Sequence, residues 1–327
     1  MPSCPRLVAV ALSVLAVAPA LAASARAADR PIFVLTDPRG DDHGDGTMKY
    51  PLSYYDLQPG DLDLVSLAAY AEADGTRFEA TFASRVRPTG RRTIDIGGTS
   101  LDSMARFGFY TTNLDIYVDT DRQEGSGGVQ MLPGRKAQLD PRFAWERAIA
   151  LTPRPFDARS TLKRILLRDL RDTLKADPKS LDAKTAEAIK LQIPADVESH
   201  VFFPTKIRVR GPKITFWVPA EALGGIARPD WAYTVVVTGT DIDQRFDLSN
   251  ALSVAAVRRS GLMILPLGVG RPTDSFGGGR EDDDLQPPLV DILVPPGPLT
   301  QERVLGDYDA TAARPAVVPA VVPADLP

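Results

Sequence analysis

The sequence predicts a mainly β fold interrupted once by a pair of helices, and three observations predict it. Runs of period two recur along the chain, as in 76–86 with Phe78, Ala80 and Phe82 on one face, and in 231–239 with Tyr233, Val235 and Val237. The 29 prolines and 25 glycines supply the turns that many short strands need. The period changes to three and four in one region, where Leu162, Ile165, Leu166, Leu170 and Leu174 form a single apolar stripe.

Taken in order, the chain begins with Arg6, the apolar run Leu7 to Ala18, and small-residue sites at Ala20-Leu-Ala22 and Ala25-Arg-Ala27. That pattern predicts a signal peptide over 1–27, cleaved after Ala22 or Ala27, and hence an exported protein, periplasmic or extracellular. Cleavage would remove Cys4, the single cysteine, and leave neither disulfide nor thiol chemistry. The remaining length, about 300 residues, suits two average domains or one large all-β domain, and composition does not choose. Residues 62–72 and 76–86 flank Asp74-Gly75, a hairpin turn signal. A loop over 88–98 then leads to a strand within 107–119 marked by Tyr110, Leu114, Ile116 and Val118, and 145–152 reads as a short strand.

The helical stripe begins at Ser160 and is stopped by Asp177-Pro178; Ser180 caps a second, weaker helix that runs to Gln192 and is closed by Pro194. This pair, within 156–196, reads as an insertion packed on a sheet. Strand patterning returns at 197–209, 213–218 and 231–239, with 257–269 as a further candidate. Residues 277–284 read as a flexible acidic loop before the apolar run 289–295. The Val-Val-Pro repeats of 312–327 predict an extended, polyproline-like tail without a core of its own.

Chemistry concentrates in two Asp/Gly loops. Asp37, Asp41, Asp42 and Asp45 gather around Gly40, Gly44 and Gly46. Hard cations take several oxygen ligands, and glycines let the backbone turn tightly enough to aim them inward, so this loop reads as a calcium site; the alternative is a turn with solvated carboxylates. It is not an EF-hand, because Leu52 stands where a bidentate Glu is required and Pro51 and Pro59 oppose the flanking helices. The second loop, 119–128, offers Asp119 and Asp121 and reads as a turn ahead of a metal site.

Other chemistries lack their parts. Two histidines, His43 in the first loop and His200 in a predicted strand, read as structural, and neither a Gly-x-Ser-x-Gly elbow nor a His-Glu-x-x-His helix is present. No catalytic residue is therefore assigned. Met104, Met131 and Met263 read as core residues and not as haem ligands. A net charge of -4 with scattered Lys and Arg argues against nucleic acid, and no second long apolar run predicts a membrane span. Trp145 and Trp231, at strand starts beside polar residues, and Tyr50, Tyr54 and Tyr55, just after the first loop, are candidate platforms for stacking a sugar ring. Trp217, inside the apolar run 214–218, reads as core.

The stretches Asp37-Pro-Arg-Gly-Asp-Asp42, Gln58-Pro-Gly-Asp-Leu-Asp63, Asp115-Ile-Tyr-Val-Asp119, Leu132-Pro-Gly-Arg135, Trp145-Glu-Arg-Ala148, Phe276-Gly-Gly-Gly279 and Val290-Asp-Ile-Leu293 occur in that order over nearly the whole length. Together they resemble the C-terminal binding-module family of glucodextranase, also called surface-layer-homology-like, with the helical pair as an enlargement. The resemblance implies one antiparallel β-sandwich over 28–311, similar to carbohydrate-binding module family nine, whose two acidic loops lie near enough to share calcium. It implies a non-catalytic module that binds polysaccharide or a glycan-rich envelope. Two alternatives stand beside it. One is an interaction or envelope-assembly module that meets a partner protein through its acidic loops and Pro-rich tail. The other, a glycoside hydrolase, is disfavoured because clustered Asp among glycines suggests low pKa values, wrong for a general acid.

Overall fold

The computed structural model describes residues 30–52, 57–89, 105–241, 261–270, 275–280 and 285–326. The predicted signal peptide, Tyr54, Tyr55, Met104, nearly all of the 88–98 loop, 257–260 and 281–284 lie outside the described residues.

Two five-stranded sheets form a sandwich. The first runs β1 (Phe33–Thr36), β2 (Leu64–Glu72), β3 (Gly75–Phe82), β9 (Lys213–Pro219), β8 (Ile207–Arg210), antiparallel throughout. The second runs β13 (Asp291–Ile292), β10 (Ala232–Gly239), β4 (Thr112–Asp119), β6 (Arg147–Leu151), β7 (Val201–Phe202), with only β6 and β7 parallel. Alternation aims Phe78, Ala80, Phe82, Ile214, Phe216 and Val218 of the first sheet at Ile116, Val118, Ile149, Tyr233, Val235 and Val237 of the second, and these side chains make the main core. The predicted hairpin is present, and Gly75 is required in it: a Cβ there would lie 2.2 Å from the Val218 carbonyl oxygen.

The second sheet is covered on its outer face as well. Tyr117, Ala148, Ala150 and Val236 pack there against Leu162 and Ile165 of α1 (Pro155–Ala176), Val197 of α2 (Ala183–His200), and Val304 and Leu305 of α4 (Gln301–Gly306). That is why every residue of β4 and β10 is buried, whereas β9 alternates buried and partly exposed. A further short helix, α3 (Ala220–Leu223), follows β9, and β11 (Leu267–Val269) pairs in parallel with β12 (Phe276–Gly279), so the 257–269 candidate is a strand only at its end among the described residues.

Three expectations need correction. α1 starts at Pro155, five residues before Ser160, because a proline is well placed at the first helical position, where its missing N–H costs nothing; Asp177 does end it. α2 is capped by Asp182, which accepts from the Lys184 and Thr185 amides, and it passes through Pro194 to His200. The carbonyl that Pro194 deprives of a partner belongs to the exposed Lys190, and buried Ile193 and Val197 on either side hold the last turns down. Residues 197–200 are therefore helix, and His200 sits at an exposed helix end with Nδ1 2.9 Å from the Asp196 carbonyl oxygen. The end of the chain is no free tail: β14 (Ala316–Val318) pairs in parallel with β5 (Ala137–Leu139), the Val321 and Tyr233 backbones exchange hydrogen bonds, and Ala316, Val318, Val321 and Val322 are buried.

A buried ion pair fastens the covering layer to β4. Arg135 Nε donates to Asp115 at 2.6 Å, and its Nη1 donates to the Pro133 and Leu262 carbonyls. Removing one partner of such a pair strands the other charge. Arg135→Ala is expected to cost about 3–5 kcal/mol in urea unfolding; a loss below about 1 kcal/mol would show that water or rearrangement supports Asp115.

Candidate functional site

At one end of the sandwich, carboxylates from both sheets converge. Asp37 directly follows β1, Asp41 lies four residues on in the glycine-rich turn, and Asp291 opens β13; one oxygen from each lies within 4.8 Å of the others. Asp63, just ahead of β2, adds its charge to all three. The turn is possible because Gly40 and Gly44 take positive φ, and a Cβ on Gly44 would come within 2.9 Å of the Leu289 carbonyl oxygen.

The protein answers few of these oxygens. The Leu64 amide donates to one Asp291 oxygen at 2.5 Å and the Gly40 amide to one Asp63 oxygen at 2.6 Å. Both Asp37 oxygens and one each of Asp41, Asp63 and Asp291 are buried without a well-formed hydrogen bond. The neighbouring charges that act most strongly on Asp37, Asp41 and Asp291 are all carboxylates. Burial first, then Asp41 and Asp63, push Asp37 up to about 8; burial and the Asp63 charge carry Asp41 up to about 6. Asp291, fully enclosed, is raised well above the carboxylate range by burial and then by Asp37. For Asp37 and Asp41 the expectation of low pKa values is thus reversed, and the reason is burial among like charges.

Gln301, at the start of α4, holds this turn in place. Its buried Nε2 donates to the carbonyls of Asp41, Gly44 and Val290, and its Oε1 accepts from the Ile292 amide at 2.7 Å. Asp42 and Asp45, both predicted ligands, are employed differently. Asp42 accepts from the Tyr50 hydroxyl and the Gly60 amide; Asp45 accepts from the Thr47 amide and hydroxyl and from Gln286, which ties the turn to the segment after β12. They brace the loop, and the converging set is Asp37, Asp41 and Asp291, with Asp63 beside it.

The second acidic loop stands apart. Asp291 pairs with Val237, Val237 with Leu114, and Asp119 lies five residues further along β4, which is about 17 Å of strand. The two loops therefore do not share an ion, contrary to what the resemblance implies. Asp119 and Asp121 instead meet Glu146. Most of these oxygens are satisfied within the loop: Asp119 accepts from the Asp121 and Arg122 amides, Asp121 from the Gln123 amide and the Ser126 hydroxyl, and Glu146 from the Thr120 amide.

Among the aromatic candidates, Trp231 is 6 % exposed and belongs to the main core, so it offers no platform. Trp145 is partly buried, packs on Tyr117 with ring centroids 5.7 Å apart, and donates its indole N–H to the Gln130 carbonyl. Tyr50 is committed to Asp42 and stands edge-on to Phe276. Trp217 corrects the sequence reading in the other direction: it is partly exposed, on the face of the first sheet that no described residue covers, where it lines a cleft.

The sandwich with its buried acidic turn places the protein among β-sandwich modules. The description "C-terminal binding-module, SLH-like, of glucodextranase" fits residues 32–322, and the chain belongs to that family. No curated protein matches it.

Asp291, Asp63, Gln301 and Glu146 fall in stretches that carry the family resemblance, but the sequence assigns none of them a role at the site. A signal existed for Asp291, a lone carboxylate in the apolar run 289–295, a place where a charge needs a reason. The Gln301 clamp is testable: Gln301→Ala takes the side-chain partner from the Gly44 carbonyl and the Ile292 amide, while the Asp41 and Val290 carbonyls keep the His43 and Gly44 amides, and it is expected to lower stability by roughly 2–4 kcal/mol in chemical denaturation. A neutral result would mean that water replaces the clamp.

Proposed function

We propose that the protein is an exported, non-catalytic module that binds carbohydrate or a glycan-rich envelope and holds structural calcium at Asp37, Asp41 and Asp291, with Asp63 adjoining. Membership in a binding-module family supports the first part. The observation that carries the second is the set of buried carboxylate oxygens without protein donors, five of them on four residues that converge from two sheets. An all-oxygen, all-anionic set suits a hard divalent cation and not zinc or copper, which favour nitrogen and sulfur. When bound, the ion supplies the counter-charge that the protein itself does not. Asp37 and Asp291 then hold the edges of the two sheets in register, and Gln301 keeps the Asp41 turn against them.

Burial also argues against hydrolysis. A glycosidase needs two carboxylates on opposite sides of a bond in an open cleft, whereas Asp37 and Asp291 are enclosed beneath the turn. The partner-protein reading loses one of its two surfaces, since much of the Pro-rich end is packed against β5 and β10. Among the described residues no helix is long and apolar enough to cross a membrane.

Affinity electrophoresis through a panel of embedded polysaccharides tests the reading. Retardation by at least one glycan, with no new reducing ends after prolonged incubation, is expected, and chelation should weaken it by loosening the fold. A folded protein that no glycan retards would overturn glycan binding in favour of a partner protein, and new reducing ends would make it a hydrolase.

A further inference from the structure

Among the described residues the second sheet is covered on both faces and the first on one only, and the other face of the first has an uneven composition. β9 turns Ile214, Phe216 and Val218 inward and Lys213, Thr215 and Trp217 outward. β8, the edge strand beside it, packs Ile207 and Val209 toward the core and exposes Arg208 and Arg210; Lys206, directly before it, is exposed in the same phase. Successive cations in this phase stand about 7 Å apart along the strand. Arg208 and Arg210 have no ion-pair partner among the described residues, in contrast to Lys213, which is held by Glu79 at 2.5 Å. On a chain of net charge -4 this is a local positive stripe.

At one end of the stripe is a cleft of ≈ 150 Å³ lined by Trp217, Phe202, Thr205, Lys206 and Asp74, among others. Lys206 Nζ lies 4.7 Å from the Trp217 ring centroid. The Trp217 indole N–H has no protein acceptor among the described residues, unlike that of Trp145, and the Asp74 carboxylate and Thr205 hydroxyl are exposed without protein partners. Cations on an edge strand do serve to discourage pairing with another chain. That role gives no reason for a partly exposed tryptophan beside them whose N–H has no acceptor among the described residues.

We propose that this face is the glycan site of the module and that its ligand is an acidic polysaccharide, one whose pyranose units bear carboxylates or phosphates. The inference rests on the glycan-binding reading above and adds the place and the ligand class. A pyranose stacks its apolar face on Trp217, its hydroxyls find a donor in the indole N–H, an acceptor in Asp74 and both in Thr205, and the acidic substituents of successive units run along Lys206, Arg208 and Arg210. The ammonium now over the ring yields its place to the sugar and meets the substituent.

The test is affinity electrophoresis of the wild type, Trp217→Ala, Trp217→Phe and the double variant Arg208→Glu/Arg210→Glu through polygalacturonate, dextran and single-stranded poly(dT), with circular dichroism as the fold control. The expected result is retardation by polygalacturonate that exceeds dextran, falls severalfold between 50 and 300 mM salt, is lost about tenfold or more in Trp217→Ala and in the charge-reversed variant, and is largely kept in Trp217→Phe. Variants that bind as the wild type does would overturn this site while leaving a glycan module intact. Dextran bound as tightly as polygalacturonate would overturn the acidic ligand, poly(dT) bound equally well would make the stripe a nucleic-acid surface, and no binding to any polymer would remove both this inference and the reading beneath it.

Discussion

Unbalanced negative charge between the two sheets is the constraint on which this structure turns. Asp37 adjoins the first sheet, as does Asp63, and Asp291 belongs to the second, so closing the sandwich at this end brings buried carboxylates together, and the charges that act most strongly on Asp37, Asp41 and Asp291 are other carboxylates. Such an arrangement opposes folding unless protons or a cation neutralise it. The surrounding residues fit that demand: the Leu64 and Gly40 amides face single oxygens, Gln301 fixes the turn through three carbonyls, and Asp42 is bound instead to Tyr50 and Gly60. What remains open to a cation is an oxygen set drawn from elements far apart in sequence.

The division of labour between the sheets follows from their coverage. β4 and β10 have helices, the β5–β14 pair and the Arg135 loop on one side and the main core on the other, so their side chains are enclosed, with Asp119 at the loop end of β4 in the second acidic cluster. The first sheet has an exposed face, crossed by Tyr70, Arg77 and Trp217 in register, with Lys206 beside Trp217. In the proposed reading, stability is built into the acidic end and the covered sheet, and recognition is left to the other, where a loss of side chains costs the core little.

How much of this was legible depended on the range of the interaction. The hairpin at Asp74-Gly75 and the phase of Phe78, Ala80 and Phe82 are local and were readable. The same alternation rule places Trp217 with Lys213 and Thr215, outside, and not with Ile214, Phe216 and Val218, yet the run as a whole looks apolar and suggests burial. The opposite error at Trp231 has a tertiary cause, since it joins the main core, whose other members come from both sheets. Val-Val-Pro repeats look like free polyproline because their partner, β5, lies nearly 180 residues earlier. For the site, the glycine-rich loop announced Asp37 and Asp41, but their true companion Asp291 sits some 250 residues away, and local spacing cannot pair them.

The most direct measurement is thermal melting of the wild type and Asp291→Asn, each in excess calcium and in chelator, with calcium content determined on the same samples. An asparagine cannot ionise where burial and Asp37 disfavour the charge, and it offers Asp37 a donor, but it also removes a cation ligand. The account predicts opposite signs: in chelator the variant melts at or above the wild type, and in calcium well below it, because ligand binding to the native state adds RT ln(1 + [L]/Kd) only where the site is whole. Equal melting of the wild type in calcium and chelator, with no calcium retained, would contradict it.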